Sequence, residues 1–464
     1  LSGMARMPLV EGLTGGVGRV ELLALGYAAD FDLPGTLSLD DVATGALGFY
    51  DTYPGEMSGE SQRAIFALTQ KRAWSRGLLR STLYGQWRGL TLMENYTGYL
   101  IDADNGDRRR QEQQTITAGA LIRYKQHLAA GWRWRVGGEW RGDWGQQREE
   151  ALAMDKDNIL AIRRDLDYQQ NEVSLFSELC WRPHQSVRVR GGVRGALFHY
   201  HLDLEQAGEH LLVTLAPRAS VVWQAQRSVT LFASYGHGFR APEARAFEPR
   251  PNTSDVALLR NQPGEARMTL SRNAEVGVHF LPVAQIELRA AGFATFIDRE
   301  SIFDHVAGTN LERNATRRVG GELQLKVAPW RWLDFRADAA LVDARFSGSG
   351  EFVPGAPRSM GSVSVRFRRR GLRAVLRLLW LGPRPLAHGA EAASAAIAQI
   401  TAGWRWRWLE LGLQVDNLFD TRWREAEYHF ASFWDHSATR SSLPVLHYVA
   451  GPPLTALLSV GVRL

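Results

Sequence analysis

The chain has 464 residues, 45% hydrophobic and 22% charged, with 45 glycines, 16 tryptophans and one cysteine. The lone Cys180 excludes an internal disulfide framework, and a net charge of +6 without a long basic run excludes a nucleic-acid-binding tail. No apolar stretch reaches the ~20 residues of a membrane helix. The nearest, LRAVLRLLWL at 372–381, is broken by Arg373 and Arg377. Two classes remain: a soluble protein, or a barrel that crosses a bilayer with strands.

In chain order, the segments alternate with a period of two, the signature of strands with one apolar and one polar face. WRWRVGGEW sets Trp132, Trp134, Val136 and Trp140 against Arg133, Arg135 and Glu139. NAEVGVHF sets Ala274, Val276, Val278 and Phe280 against Asn273, Glu275 and His279. RVGGELQLKV sets Val319, Leu323, Leu325 and Val327 against Arg318, Glu322, Gln324 and Lys326. LDFRADAAL, SVSVRFR and LTALLSVGVRL repeat the pattern at 333–341, 362–368 and 454–464. About 18 such strands are predicted between roughly Gly18 and Leu464 by this periodicity.

The connections alternate short and long. Short ones are expected near Trp74–Gly77, His127–Gly131, Arg182–Gln185, Gln224–Arg227, Leu281–Ala284, Ala328–Arg331, Arg369–Gly371 and Arg407–Trp408. Long ones are expected near Phe31–Gly59, Met93–Arg109, Gly145–Asp165, Arg240–Ala266, Asp298–Asn314, Phe346–Pro357 and Thr421–Gly451. Outer-membrane barrels sort their loops this way, with short periplasmic turns and long extracellular loops. Trp74, Trp132, Trp134, Trp181, Trp223, Trp330, Trp332, Trp404, Trp406 and Trp408 stand at or beside the short turns, where an aromatic girdle would meet the membrane interface. The apolar face must look outward, because a one-residue slip would turn Arg318, Glu322 and Lys326 to lipid. Arg or Lys there costs about 2–4 kcal/mol at the midplane.

The polar face is rich in arginine: Arg133, Arg135, Arg141, Arg188, Arg190, Arg194, Arg318, Arg336, Arg366 and Arg368. These either give a positive lumen that attracts anions or pair with inward Asp and Glu, or with a plug. No catalytic constellation stands out: H-E-x-x-H, G-x-S-x-G, P-loop and G-x-G-x-x-G signatures are missing. DADNGD at 102–107 lacks the glycine position and the final Glu of an EF-hand and reads as a solvated loop tip. His429, His436 and His447 share a loop with Asp435 without metal-ligand spacing. His199 and His201 share one side of a strand whose phase is ambiguous.

Several segments go beyond pattern. FASYGHGFRAPEARAFEP (Phe232–Pro249), NLERNATRRVGGELQLKV (Asn310–Val327), VDNLFDTRW (Val415–Trp423), the ending GPPLTALLSVGVRL and ENYTGYLIDADNGDRRRQ (Glu94–Gln111) resemble TonB-dependent outer-membrane receptors. The resemblance runs over nearly the whole chain. It implies a transmembrane antiparallel β-barrel, 22-stranded in the family and closed around an N-terminal plug. It also implies energy-coupled uptake of a scarce ligand, usually a ferric siderophore or similar metal chelate. The partners implied are outer-membrane lipid, the TonB complex and a small-molecule ligand, with no cofactor and a monomeric state; no nucleic acid is expected.

This chain departs from that pattern. It shows no plug, TonB box or signal peptide, and Leu464 stands where the family ends on an aromatic. Residues 1–464 are therefore expected to form a single barrel domain, truncated before the plug and first four strands and unable to transport alone. The ligand is expected on lumenal residues and on the loops Arg240–Ala266 and Thr421–Gly451, with Arg240, Trp423, Tyr428, His429, Phe433 and Trp434 as candidate contacts. The alternative function is a passive 18-stranded, anion-preferring porin, and an enzyme is the reading with least support.

Overall fold

The alternation in RVGGELQLKV becomes two surfaces. Val319 is 49% exposed and Leu323 45% on one face, while Arg318 on the other is ion-paired to Glu300. The computed structural model describes residues 2–13, 16–55, 57–154, 158–203, 208–247, 266–312, 314–435 and 439–462.

Nineteen strands form one antiparallel sheet: Ser2–Leu13, Gly16–Asp32, Ser58–Trp74, Gly77–Glu94, Arg108–His127, Trp132–Leu152, Ile159–His184, Val187–Leu202, Glu209–Gln226, Val229–Arg240, Thr269–Val283, Ile286–Ile297, Thr316–Trp330, Leu333–Phe346, Ser359–Arg369, Leu372–Leu381, Ala395–Trp406, Leu409–Asp416 and Thr455–Val462. Each pairs with the next. Eighteen of them follow Gly16, the number the periodicity predicts; Ser2–Leu13 is an addition to it. Among the described residues no pairing joins Ser2–Leu13 to Thr455–Val462.

Loops from opposite ends of the sheet nevertheless meet. Leu37–Ser38 pairs with Val445–Ala450, and Arg109 reaches the carbonyls of Val306 and Ala307. A flat sheet could not bring them together, so the sheet is rolled, with its polar face enclosing a lumen. Between neighbouring strands rolled this way the backbone groups are satisfied laterally, as hydrocarbon requires.

All eight expected short turns join consecutive strands. Beside them Trp74, Trp181, Trp223, Trp330, Trp404, Trp406 and Trp408 are exposed, and Trp132 stacks on Trp181 and Trp330 on Trp332, each at 5.2 Å. This is the amphipathic girdle the sequence predicts.

The long connection expected at Gly145–Asp165 is a correction. Strands Trp132–Leu152 and Ile159–His184 run through it, pairing from Gly145↔Tyr168 to Leu152↔Ile159. Cross-strand ion pairs, Arg148–Asp165 at 3.3 Å and Arg164–Glu149 at 3.1 Å, line this ladder. Charge on both strands reads as loop in a sequence, yet here it is complementary across the pair.

Most of the lumenal arginines are ion-paired, although two groups of three share one carboxylate each. Glu178, 3% exposed, takes Arg135, Arg190 and Arg218. Arg141 pairs with Asp143, Arg194 with Glu172, and Arg336, Arg366 and Arg368 converge on Asp334. Of the two readings of these arginines, pairing with inward carboxylates describes most of them. His199 and His201 face outward together and flank Glu209 at 3.3 and 3.6 Å.

Candidate functional site

The long loops close over the lumen as a knitted lid. Its frame is a three-stranded sheet of Leu37–Ser38, Arg424–Phe430 and Val445–Ala450, beside the hairpin Ser301–Asp304 with Thr309–Glu312. Two small apolar cores hold it. One gathers Leu100, Val306, Phe430 and Ala431 with Tyr96, Tyr428 and Phe433. The other gathers Leu37, Tyr53 and Tyr448 with Phe49 and Trp434.

The loop 95–107 explains its motif. Asn95 Oδ1 accepts from the backbone N–H of Thr97 and Gly98 at 3.1 and 2.8 Å. Asp107 accepts from Ile101 N and Asp102 N and from the Thr97 hydroxyl at 2.6 Å. Asp102 accepts from Asp104 N and Asn105 N. The carboxylates of DADNGD therefore cap their own loop, and among the described residues no group of three His, Cys, Asp or Glu is placed to hold a metal. Gly98, at φ +71°, lets the backbone of Phe433 approach: a Cβ there would stand 2.4 Å from the Phe433 carbonyl oxygen. Tyr99 N donates to that oxygen at 2.8 Å.

Two arginines clasp the lid. Arg109 donates to Val306 O at 2.7 Å and Ala307 O at 3.0 Å, and Gly308 leaves room for its guanidinium. Arg440 donates to the carbonyls of Leu100 and Ile101.

Between the loops lies a stack of rings. His305 lies parallel to Phe430 at 4.6 Å, and Phe430 parallel to His447 at 3.9 Å. Tyr428 packs on His305 at 4.3 Å, with Tyr96 and Phe303 at its edges. His447 is fully buried; its Nδ1 donates to Val445 O at 3.0 Å, so Nε2 accepts from the Ser432 hydroxyl at 2.8 Å. Burial lowers the His305 pKa to about 4 and that of His447 to about 3, so both are neutral at pH 7. Burial also raises the Tyr53 and Tyr96 phenols, the former helped by its hydrogen bond to Asp41.

The candidate contacts fall in different places. Tyr428 and Phe433 belong to the first lid core, and Trp434 stacks flat on Tyr53 at 4.0 Å. His429 hydrogen-bonds Ala387 O at 2.9 Å. Trp423 donates to Pro452 O at 3.2 Å, near the mouth. Arg240, exposed, ends its strand opposite Thr269, apart from the others. Residues 248–265 and 436–438, including His436, lie outside the described residues, as does Leu464.

Sequence reasoning missed Tyr53, Tyr96, Arg109, His305 and Arg440. The other motifs prove architectural. In FASYGHGFRAPEARAF, Phe247 packs on Tyr200 at 4.7 Å and stacks on His210 at 4.1 Å, and Tyr200 donates to Pro242 O at 2.9 Å, folding the loop over the strand ends. In VDNLFD, Asn417 at φ +49° donates to Thr421 O and Pro452 O, and Asp420 accepts from Leu454 N.

A rolled antiparallel sheet, apolar outside, polar within and roofed by long loops, defines a large outer-membrane β-barrel of the transport-receptor class. The model of the TonB dependent receptor-like β-barrel family matches residues 12–418, and the chain belongs to that family. Its place is the Gram-negative outer membrane. Solved structures share the fold at low identity. The ferric yersiniabactin uptake receptor FyuA from Yersinia pestis is 14% identical with a TM-score of 0.72, covering 99% of this chain and 78% of its own. The siderophore receptor PiuA from Acinetobacter baumannii is 12% identical with a TM-score of 0.75, at 99% and 77% coverage. The copper transporter OprC is 14% identical with a TM-score of 0.67, at 99% and 79% coverage. No curated protein sequence matches the chain.

Proposed function

We propose that this barrel takes up a scarce metal chelate, of the ferric-siderophore kind, in a TonB-dependent, energy-coupled step, acting as a monomer in outer-membrane lipid. The observation that carries this reading is the roofed mouth. A steady pore has no use for two packed loop cores, whereas a receptor that captures and then commits its ligand does. Pairing of the lumenal arginines with carboxylates also weakens the pull on simple anions that the porin alternative needs. In this reading Tyr428, His429, Phe433 and Trp434 meet the ligand when the lid rearranges, and Trp423 and Arg240 contribute from the rim. The family and fold are those of transport receptors rather than enzymes.

The test is accumulation of radiolabelled ferric chelates by cells carrying the barrel joined to an N-terminal plug and TonB box, with and without a functional TonB complex; the barrel without them is expected to accumulate none. Accumulation that requires both the protein and TonB is expected. Equal accumulation without TonB would contradict the proposal, and a steady anion-selective current in planar bilayers would replace it with the porin.

A further inference from the structure

Among the described residues the lumenal face is polar along most of its strands, but apolar patches interrupt it: the one at Leu166, Phe198, Tyr200 and Leu202 is filled by Phe247, and another lines a cavity. On strand Leu372–Leu381 the register turns Arg377, Leu379 and Leu381 inward, opposite Gln399, Ile397 and Ala395 of the next strand. On the other side Met360 faces Leu381. These apolar side chains line a cavity of ≈ 490 Å³ under Trp423 of the roof. Its size and mostly apolar lining are those of a small-molecule site.

The polarity is graded along the strands. The residues nearest the mouth, Met360, Leu381 and Ala395, are apolar, and one step further in come Leu379 and Ile397. A further step reaches Arg377 and Gln399. From that level inward the charge is positive. Arg336 stands level with Arg377. It shares the single carboxylate of Asp334 with Arg366 and Arg368, and Arg373 faces Arg368. Among the described residues Arg373 and Arg377 make no ion pair within 4.0 Å. The carboxylates at the cavity's edge stand away from this end: Asp338 is two strands from Arg377 and Glu322 three.

We propose that this pocket binds a single-chain anionic amphiphile, an acyl carboxylate being the simplest. Its hydrocarbon lies along Leu381, Leu379 and Ile397, and its carboxylate meets the Arg377 guanidinium. An apolar wall capped at one end by an unpaired cation is complementary to that class and to neither a polar solute nor a fully apolar one. The inference concerns binding at the barrel wall and holds whether or not uptake follows.

The probe is dodecanoate, titrated into the protein in lipid nanodiscs, with partition into empty nanodiscs subtracted. Saturable binding at one site is expected, weakened at least tenfold by Arg377→Gln. Dodecanol should bind more weakly and be indifferent to that change. Ala340→Phe, which fills the cavity from a neighbouring strand, should abolish both. Heat-modifiable gel migration checks that each variant keeps its barrel. A reading without variants comes from salt, which should weaken dodecanoate and leave dodecanol unchanged. No saturable binding to the folded protein overturns the proposal. So does dodecanoate affinity that either Arg377→Gln or Ala340→Phe leaves unchanged, or that salt does not move.

Discussion

Tyr84 lies across Gly119 of the neighbouring strand so closely that a Cβ at Gly119 would come within 2.2 Å of its ring. Tyr168 covers Gly145 and Phe232 covers Gly277 in the same way, each on the lumenal face. An aromatic over a glycine fills the notch the missing side chain leaves and pins register between strands. Gly119→Val is therefore expected to cost about 1–3 kcal/mol through overpacking, read as a lower denaturant midpoint for unfolding from lipid vesicles. Gly85→Val has open space before it, with its nearest neighbour at 3.9 Å, and serves as the comparison. Glu178 is a second residue whose role is shared. Glu178→Gln leaves Arg135, Arg190 and Arg218 without their common partner. A loss of about 1–3 kcal/mol, discounted because those arginines are partly solvated, is expected in the same measurement. The two lid histidines act through protonation. Their folded pKa values, about 4 and about 3, lie below the ordinary 6.5, so an opened lid binds more protons than a closed one. The closed state is unpenalised above pH 6.5. It loses up to about 1.4 kcal/mol per pH unit per histidine as pH falls from there towards 4. Hydrogen exchange of residues 301–312 and 445–450 should show protection falling over that window; protection constant down to pH 4 would remove the stack from any role in closure.

At the scale of elements, periodicity in the sequence was enough to place most strands and eight short turns, because side chains facing lipid and lumen alternate under strong energetic constraint; the hairpin Ser2–Leu13 with Gly16–Asp32 was not among them. Leu323→Arg and Gln324→Arg put that constraint to the test one residue apart. The first turns a guanidinium to hydrocarbon and should cost about 2–4 kcal/mol near the midplane, while the second faces the lumen and should cost little. Folding yields into bilayers compare them. What stayed illegible lies where that constraint lapses. The ladder between Gly145 and Asp165 carries charges on both strands, and only the paired register shows that Arg148 meets Asp165 and Arg164 meets Glu149. The lid was illegible for another reason. Its contacts join residues as far apart as Tyr448 and Phe49, 399 positions away, and no local pattern encodes them. Hence the aromatic residues of the last loop stood out by composition, while His305 and Arg109, which hold them, did not. Arg109→Ala should release the hairpin 301–312 while the barrel strands keep their protection, a separation that hydrogen exchange resolves directly.

For the molecule as a whole, the sheet and the lid have different solvents and so different stabilities. The sheet is set by the bilayer, which makes every misplaced polar group expensive. The lid rests on two small cores, a ring stack and two guanidinium clasps, the kind of region that opens well before global unfolding. That contrast suits a gate on a rigid wall, and it is why the candidate ligand residues could be named by loop but not by geometry: packed as they are, they describe the closed mouth.

The roof also dictates an order of events during biogenesis. Its inner strand, Val445–Ala450, comes from the final loop, yet it hydrogen-bonds Leu37–Ser38, and Arg440 grips the carbonyls of Leu100 and Ile101. A nascent polypeptide inserted only part-way has nothing to seal its vestibule. The gate must be the last thing such a barrel acquires, so every assembly intermediate lacks its roof.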